Sequence, residues 1–151
     1  MPGTLDQPHP YELPGRAFLV GSAVQSDLSS KQLRHPRFEA PYRGVRRLRR
    51  DSAHPKTLRE RVAQSASDYL PLLRLSRGEA FSHTTALHLH GAPIRTPPDL
   101  HVSIPRPHGP ARGALVHGHH HGTEVEPWQV RVEGTEGTEG IEGSHSPVCR
   151  R

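Results

Sequence analysis

The chain has little of what builds a large core or a covalent framework. Among its 151 residues are one cysteine, one tryptophan, three phenylalanines and three tyrosines, and 32% are hydrophobic. Globular domains usually contain roughly 45–50% apolar residues, glycine included. Cys149 has no partner for an intrachain disulfide, so an oxidising compartment gains no support. No apolar run approaches the roughly 18 residues that span a bilayer.

The first residues, Met1 to Pro8, lack both the basic and the apolar regions of a signal peptide. A cytoplasmic location is therefore expected. The 16 prolines and 14 glycines make extended, unpaired backbone common. These totals predict a compact centre with loose ends.

Charge is distributed unevenly along the sequence. Residues 31–77 contain thirteen Lys or Arg and four acidic residues, whereas residues 124–142 contain six Glu and one Arg. A basic middle followed by an acidic tail favours an anionic partner, with DNA as the first candidate. A solvated arginine-rich surface without a partner remains the alternative.

The order of the elements predicts an α+β fold. We expect a flexible lead-in over residues 1–16 and a small winged-helix-like unit over 17–50. In that unit, a helix from Phe18 to Val24 precedes a short helix capped by Ser29 or Ser30 and a hairpin around Gly44.

A helix pair and a short β-sheet are expected over residues 57–132. The first helix should end near Leu70 because of Pro71, and Ser82 should cap the second, which ends at Gly91. The predicted strands are 100–104, 114–117 and 128–132. The Gly/Thr/Glu-rich tail over 133–151 should be disordered.

Basic and polar side chains of the first unit are the candidate DNA contacts. Those on the second short helix and its exit could reach base edges, and those on the hairpin could contact phosphates. They are Lys31, Gln32, Arg34, Arg37, Arg43, Arg46, Arg47, Arg49 and Arg50.

No metal, cofactor or catalytic site is expected. The tract His117–His121 is rich in imidazole, but Gly118 and Gly122 should leave it flexible and prone to adventitious nickel binding. His83, His88 and His90 lack the i, i+4 spacing of a helical zinc site, so capping or packing roles are expected. The acidic residues are scattered, and none of the common hydrolase or phosphate-binding motifs occurs, so the sequence does not indicate an enzyme.

A family resemblance extends over about residues 16–121. Ser82-His83, Leu89-His90-Gly91, His101-Val102, Ile104-Pro105 and Val116-His117 occur in the order found in AbiEi-like antitoxins of type IV toxin–antitoxin systems. The same pattern occurs in related actinobacterial proteins that carry a very-short-patch-repair-like endonuclease domain. Pro41 to Val45 similarly resembles the wing strand of the family's winged helix.

The resemblance implies a non-catalytic, DNA-binding, antitoxin-like transcriptional regulator whose toxin partner and operator are unknown. The family's C-terminal region has no counterpart here, so the resemblance implies a truncated chain without nuclease residues. Two alternatives stay open. The chain could be the remnant of an endonuclease-domain protein whose catalytic half is missing, or a His-rich metal-binding protein.

Overall fold

The computed structural model describes residues 15–26, 28–49, 55 and 57–122, together with the backbone of 127–131 and 145–149. This part of the chain is mixed α+β, as the sequence predicts, and it contains three α-helices and two sheets. The chain divides into two compact units, Met1–Ala53 and His54–Arg151. The predicted lead-in before Gly15 and the residues 132–144 lie outside the described residues.

The first unit is built on a three-stranded antiparallel sheet. Its strands are β1 (Ala17–Leu19), β2 (Phe38–Glu39) and β3 (Val45–Leu48), with β3 in the centre, and α1 (Val20–Gln25) follows β1 directly. Phe18 and Phe38 pack edge to face with ring centroids 5.9 Å apart. Ala23 and Leu33 complete the buried cluster.

Two expectations for this unit are corrected. The predicted helix from Phe18 begins only at Val20, because residues 17–19 pair their backbone with β3. The second helix is a single 3₁₀ turn, Gln32–Arg34. Lys31, rather than the predicted Ser29 or Ser30, stands at its N-cap position, but Ser29 still bonds the turn: the Gln32 N–H donates to Ser29 Oγ at 3.2 Å and the Ser29 N–H donates to Gln32 Oε1 at 2.8 Å.

The predicted hairpin of the first unit is confirmed. Strands β2 and β3 pair antiparallel, with Phe38 opposite Leu48 and Glu39 opposite Arg47. The connecting turn places Gly44 at φ +81°, a left-handed conformation that glycine adopts without steric penalty.

The helices of the second unit follow the local signals in the sequence. Helix α2 (Leu58–Tyr69) begins with a capping box between Thr57 and Glu60, and the chain tightens into a 3₁₀ turn around Pro71. The predicted end near Leu70 is therefore confirmed. Helix α3 (His83–Leu89) is followed by Gly91 at φ +84°, which suits a C-terminal glycine.

Six short strands form the sheet of the second unit. They are β4 (Ala80–Phe81), β5 (Leu100–Pro105), β6 (Arg112–Gly113), β7 (Val116–His121), β8 (Pro127–Arg131) and β9 (His145–Cys149). Their order in the sheet is β6-β7-β5-β4-β9-β8, and β5 runs parallel to β7.

The strand limits differ from the sequence expectation at two places. Strand β7 begins at Val116 and continues through the histidine tract to His121, where the sequence predicted a strand over 114–117 and then a flexible segment. Strand β9 lies within the region predicted to be a disordered tail and pairs with β4 and β8.

The buried apolar residues of the second unit come from α2, α3 and the central strands. The largest of them, Phe81, Leu100 and Ile104, have fully buried side chains. Helices α2 and α3 contact each other, and both contact β5. None of the helices in the described part of the chain has the length and hydropathy needed to cross a membrane.

Candidate functional site

The predicted DNA contacts fall into an exposed group and a partly buried group. The exposed group has its side chains in solvent on the 3₁₀ turn, its exit and the hairpin. It consists of Lys31, Gln32, Arg34, Arg37, Arg43 and Arg49. Arg50 lies outside the described residues. A backbone hydrogen bond of 2.7 Å from the Arg49 N–H to the Arg37 carbonyl joins the exit of the turn to the end of β3.

Arg46 and Arg47 are partly buried and hold the unit together. Arg46 Nε donates to the Leu33 carbonyl at 3.3 Å and its Nη1 to the Val45 carbonyl at 3.0 Å. Arg47 forms an ion pair of 2.8 Å with Glu39 across the hairpin. These two arginines therefore link β3 to the 3₁₀ turn and to β2, which is a structural task that the sequence did not indicate.

A second group of functional side chains lies on the parallel pair β5–β7. The register places His101 opposite His117 and Ser103 opposite His119. Because side chains alternate between the faces of a strand, these four share one face of the sheet. The neighbouring residues Leu100, Val102 and Val116 are buried.

Three histidines from separate elements meet on this face. His101 Nδ1 lies 3.0 Å from His119 Nε2, and the ring of His83 lies 4.1 Å from that of His119 and 5.7 Å from that of His101. One ring nitrogen from each of His83, His101 and His119 can be chosen so that all three lie within 4.8 Å of one another. His83 is exposed, and the other two are half-buried.

The backbone and a serine pair hold His83 against this face. His83 has φ +49°, a left-handed conformation that few non-glycine residues adopt. Its Nδ1 is 2.9 Å from Ser82 Oγ, which also accepts a 2.7 Å hydrogen bond from Ser103 Oγ. Both serines are buried. The predicted capping bond from the Ser82 hydroxyl to the backbone of α3 is therefore wrong, because that hydroxyl bonds His83 and Ser103 instead.

The surroundings of His101 and His119 favour their neutral imidazole forms. Burial lowers the pKa of both His101 and His119 below the ordinary value, and the neighbouring histidines lower it further. His117 stacks on His101 with ring centroids 4.9 Å apart, but its Nε2 pairs with Asp99 Oδ2 at 3.0 Å. The Nε2 of His117 is thus engaged by Asp99 and is not one of the three clustered nitrogens.

The packing role expected of His88 is confirmed, whereas the exposed side chain of His90 is not packed. His88 is buried, and its Nε2 lies 3.0 Å from Thr96 Oγ1. His90 is exposed at the end of the helix. Spacing within one helix did not indicate His83, whose neighbours come from strands β5 and β7.

Comparison of the chain with protein-family models, with curated proteins and with solved structures finds no match. The resemblance to AbiEi-like antitoxins therefore stays a prediction from the residues, and the function must be argued from the two groups of side chains described above.

Proposed function

We propose that this chain is a DNA-binding, antitoxin-like transcriptional regulator without catalytic activity, and that its first unit is a reduced winged helix. The observation that carries the proposal is the concentration of exposed positive charge on that unit. Glu39 is the one carboxylate among its described residues, and it pairs with Arg47 and Arg49. Lys31, Arg34 and Arg43 are exposed on the turn and the hairpin.

The shape of the unit supports phosphate contacts more strongly than base reading. A recognition helix reads bases from several turns laid into the major groove, whereas Gln32–Arg34 is one 3₁₀ turn. Arginine and lysine contacts to phosphates position a protein on DNA and carry little sequence information. We therefore propose that the turn and the hairpin contribute affinity through the DNA backbone.

Fluorescence anisotropy tests the proposal. A labelled duplex from the upstream region of the gene is titrated with the protein at several salt concentrations. The logarithm of the binding constant falls linearly with the logarithm of the salt concentration, and each lost phosphate contact makes this negative slope shallower by about 0.9. The double variant Lys31→Ala/Arg34→Ala should therefore lose about 1.8 from this slope. Both side chains are exposed, so circular dichroism should show the fold unchanged.

The matched control removes two exposed arginines from the second unit, Arg61→Ala/Arg95→Ala, with the same change of charge. It should retain the wild-type slope. The proposal is overturned if the wild-type chain does not bind duplex at low salt, or if the two double variants lose affinity equally. Arg46 and Arg47 are unsuitable for this test, because their replacement would disturb the packing of β3.

A further inference from the structure

We propose that His83, His101 and His119 form a binding site for a divalent transition-metal ion of the zinc class, with a fourth coordination position open to solvent. The site lies in the second unit, and the residues that form it are not among the proposed DNA contacts. Its three side chains come from the start of α3 and from the neighbouring strands β5 and β7. They are the only such group of three potential ligands among the described residues.

The distances fit an ion after small side-chain movements. Zinc–imidazole bonds of about 2.0–2.1 Å in a tetrahedral site separate ligand nitrogens by about 3.3 Å. His101 Nδ1 and His119 Nε2 are already 3.0 Å apart. The widest separation within the group, 4.8 Å, must close by about 1.5 Å. His83 is exposed, so this closure requires a shift of its ring that adjusts the 2.9 Å contact between its Nδ1 and Ser82 Oγ.

The surroundings of His83 supply the outer support that metal-binding histidines require. Such a histidine almost always uses its second ring nitrogen to hydrogen-bond a fixed polar group. His83 Nδ1 lies 2.9 Å from Ser82 Oγ, and the buried Ser103 hydroxyl donates to that same oxygen. A proton on Nδ1 that is donated to Ser82 leaves Nε2 with its lone pair for the ion.

The donor set indicates the class of ion. Three imidazole ligands suit zinc, copper, nickel or iron, whereas calcium and magnesium require oxygen ligands. The nearby carboxylate of Asp99 is bonded to His117 and does not join the three nitrogens. Three protein ligands leave one position for water, which is the arrangement of an open zinc site rather than a closed structural one.

Adventitious chelation by the tract His117–His121 is the competing explanation for any metal uptake. Strand alternation places His120 on the face opposite His119. The ring nitrogens of His121 lie near the carbonyls of Gly122 and Gly78. A tract that binds metal without a built site would not require His83 or His101, which lie far from it in sequence.

Calorimetric titration of the untagged full chain with Zn²⁺, with metal content checked by mass spectrometry, should show one ion per chain. The variant His83→Asn keeps a residue that tolerates a left-handed backbone. This variant and His101→Ala should each weaken binding by more than about 100-fold, beyond the about 10–100-fold effect of losing an outer-shell partner. Ser82→Ala should fall within that smaller range.

His120→Ala is the matched control and should bind Zn²⁺ as the wild-type chain does. Visible absorption of the Co²⁺-loaded protein gives a second readout, since the intense four-coordinate bands should disappear in His83→Asn. Absence of stoichiometric Zn²⁺ binding by the wild-type chain overturns the proposal. It is equally overturned if His120→Ala weakens binding while His83→Asn does not, because the tract would then hold the ion.

Discussion

Gly118 allows a backbone approach that no other residue permits. A Cβ placed on Gly118 would lie 2.2 Å from the Ala111 carbonyl oxygen and 2.5 Å from the Ala111 nitrogen. Side-chain carbons do not approach backbone atoms closer than about 3.0 Å, so Gly118→Ala must push β7 and the segment at Ala111 apart by about 0.8 Å. That movement opposes the short pairing of β6 with β7.

The expected loss of stability is about 2 kcal/mol, within the about 1–3 kcal/mol typical of overpacking. For a unit of this size, that corresponds to a fall in melting temperature on the order of 10 °C, which thermal unfolding followed by circular dichroism would detect. Gly109→Ala is the control, because a Cβ there meets nothing within 4 Å. It should leave stability unchanged or raise it by about 0.4–1 kcal/mol. Equal melting temperatures for Gly118→Ala and the wild-type chain would refute the reasoning.

Two further predictions concern buried polar groups. Glu79 is 1% exposed and accepts hydrogen bonds from the backbone and guanidinium of Arg74. Glu79→Ala should therefore lower the free energy of unfolding in urea by about 3 kcal/mol, and a loss below about 1 kcal/mol would contradict this. Burial lowers the pKa of His88 in the folded chain. The contribution of neutral His88 to stability is therefore complete above the unfolded pKa of about 6.5, and it is lost as the pH falls towards the lower folded pKa. The variant His88→Gln cannot be protonated at this position, so it should reduce the fall in melting temperature on acidification. The fall should not disappear, because the pKa values of His101 and His119 are lowered too. A pH dependence identical to that of the wild-type chain would contradict this prediction.

The elements that could be predicted from the sequence are those set by local chemistry. Thr57 and Glu60 form their capping box, Pro71 ends α2, and Gly91 follows α3 in a left-handed conformation. Each signal acts within about four residues of the element that it limits. Such signals need no knowledge of the tertiary fold, so they could be recognised without it.

Long-range pairing accounts for the main differences in the first unit. Residues 17–19 carry an apolar pattern that also suits a helix, and only their pairing with Val45–Arg47 makes them a strand. Arg46 and Arg47 were predicted to contact DNA from their charge alone. Their contacts with Leu33, Val45 and Glu39 depend on the folded hairpin, so no local pattern could separate them from the exposed basic residues.

The histidine cluster also depends on long-range pairing, although part of it could be recognised from the alternation of side chains along each strand. A metal site confined to one helix is recognised by its spacing, but His83, His101 and His119 lie on three elements. Alternation along β5 puts His101 and Ser103 on one face, and alternation along β7 puts His117 and His119 on one face. Alternation alone does not predict that the two strands run parallel, nor their register, and these bring the two faces together. The connection from Pro105 to Val116 is shorter than the dozen or more residues that usually join parallel strands, so loop length gives no indication of the parallel pairing that creates the cluster.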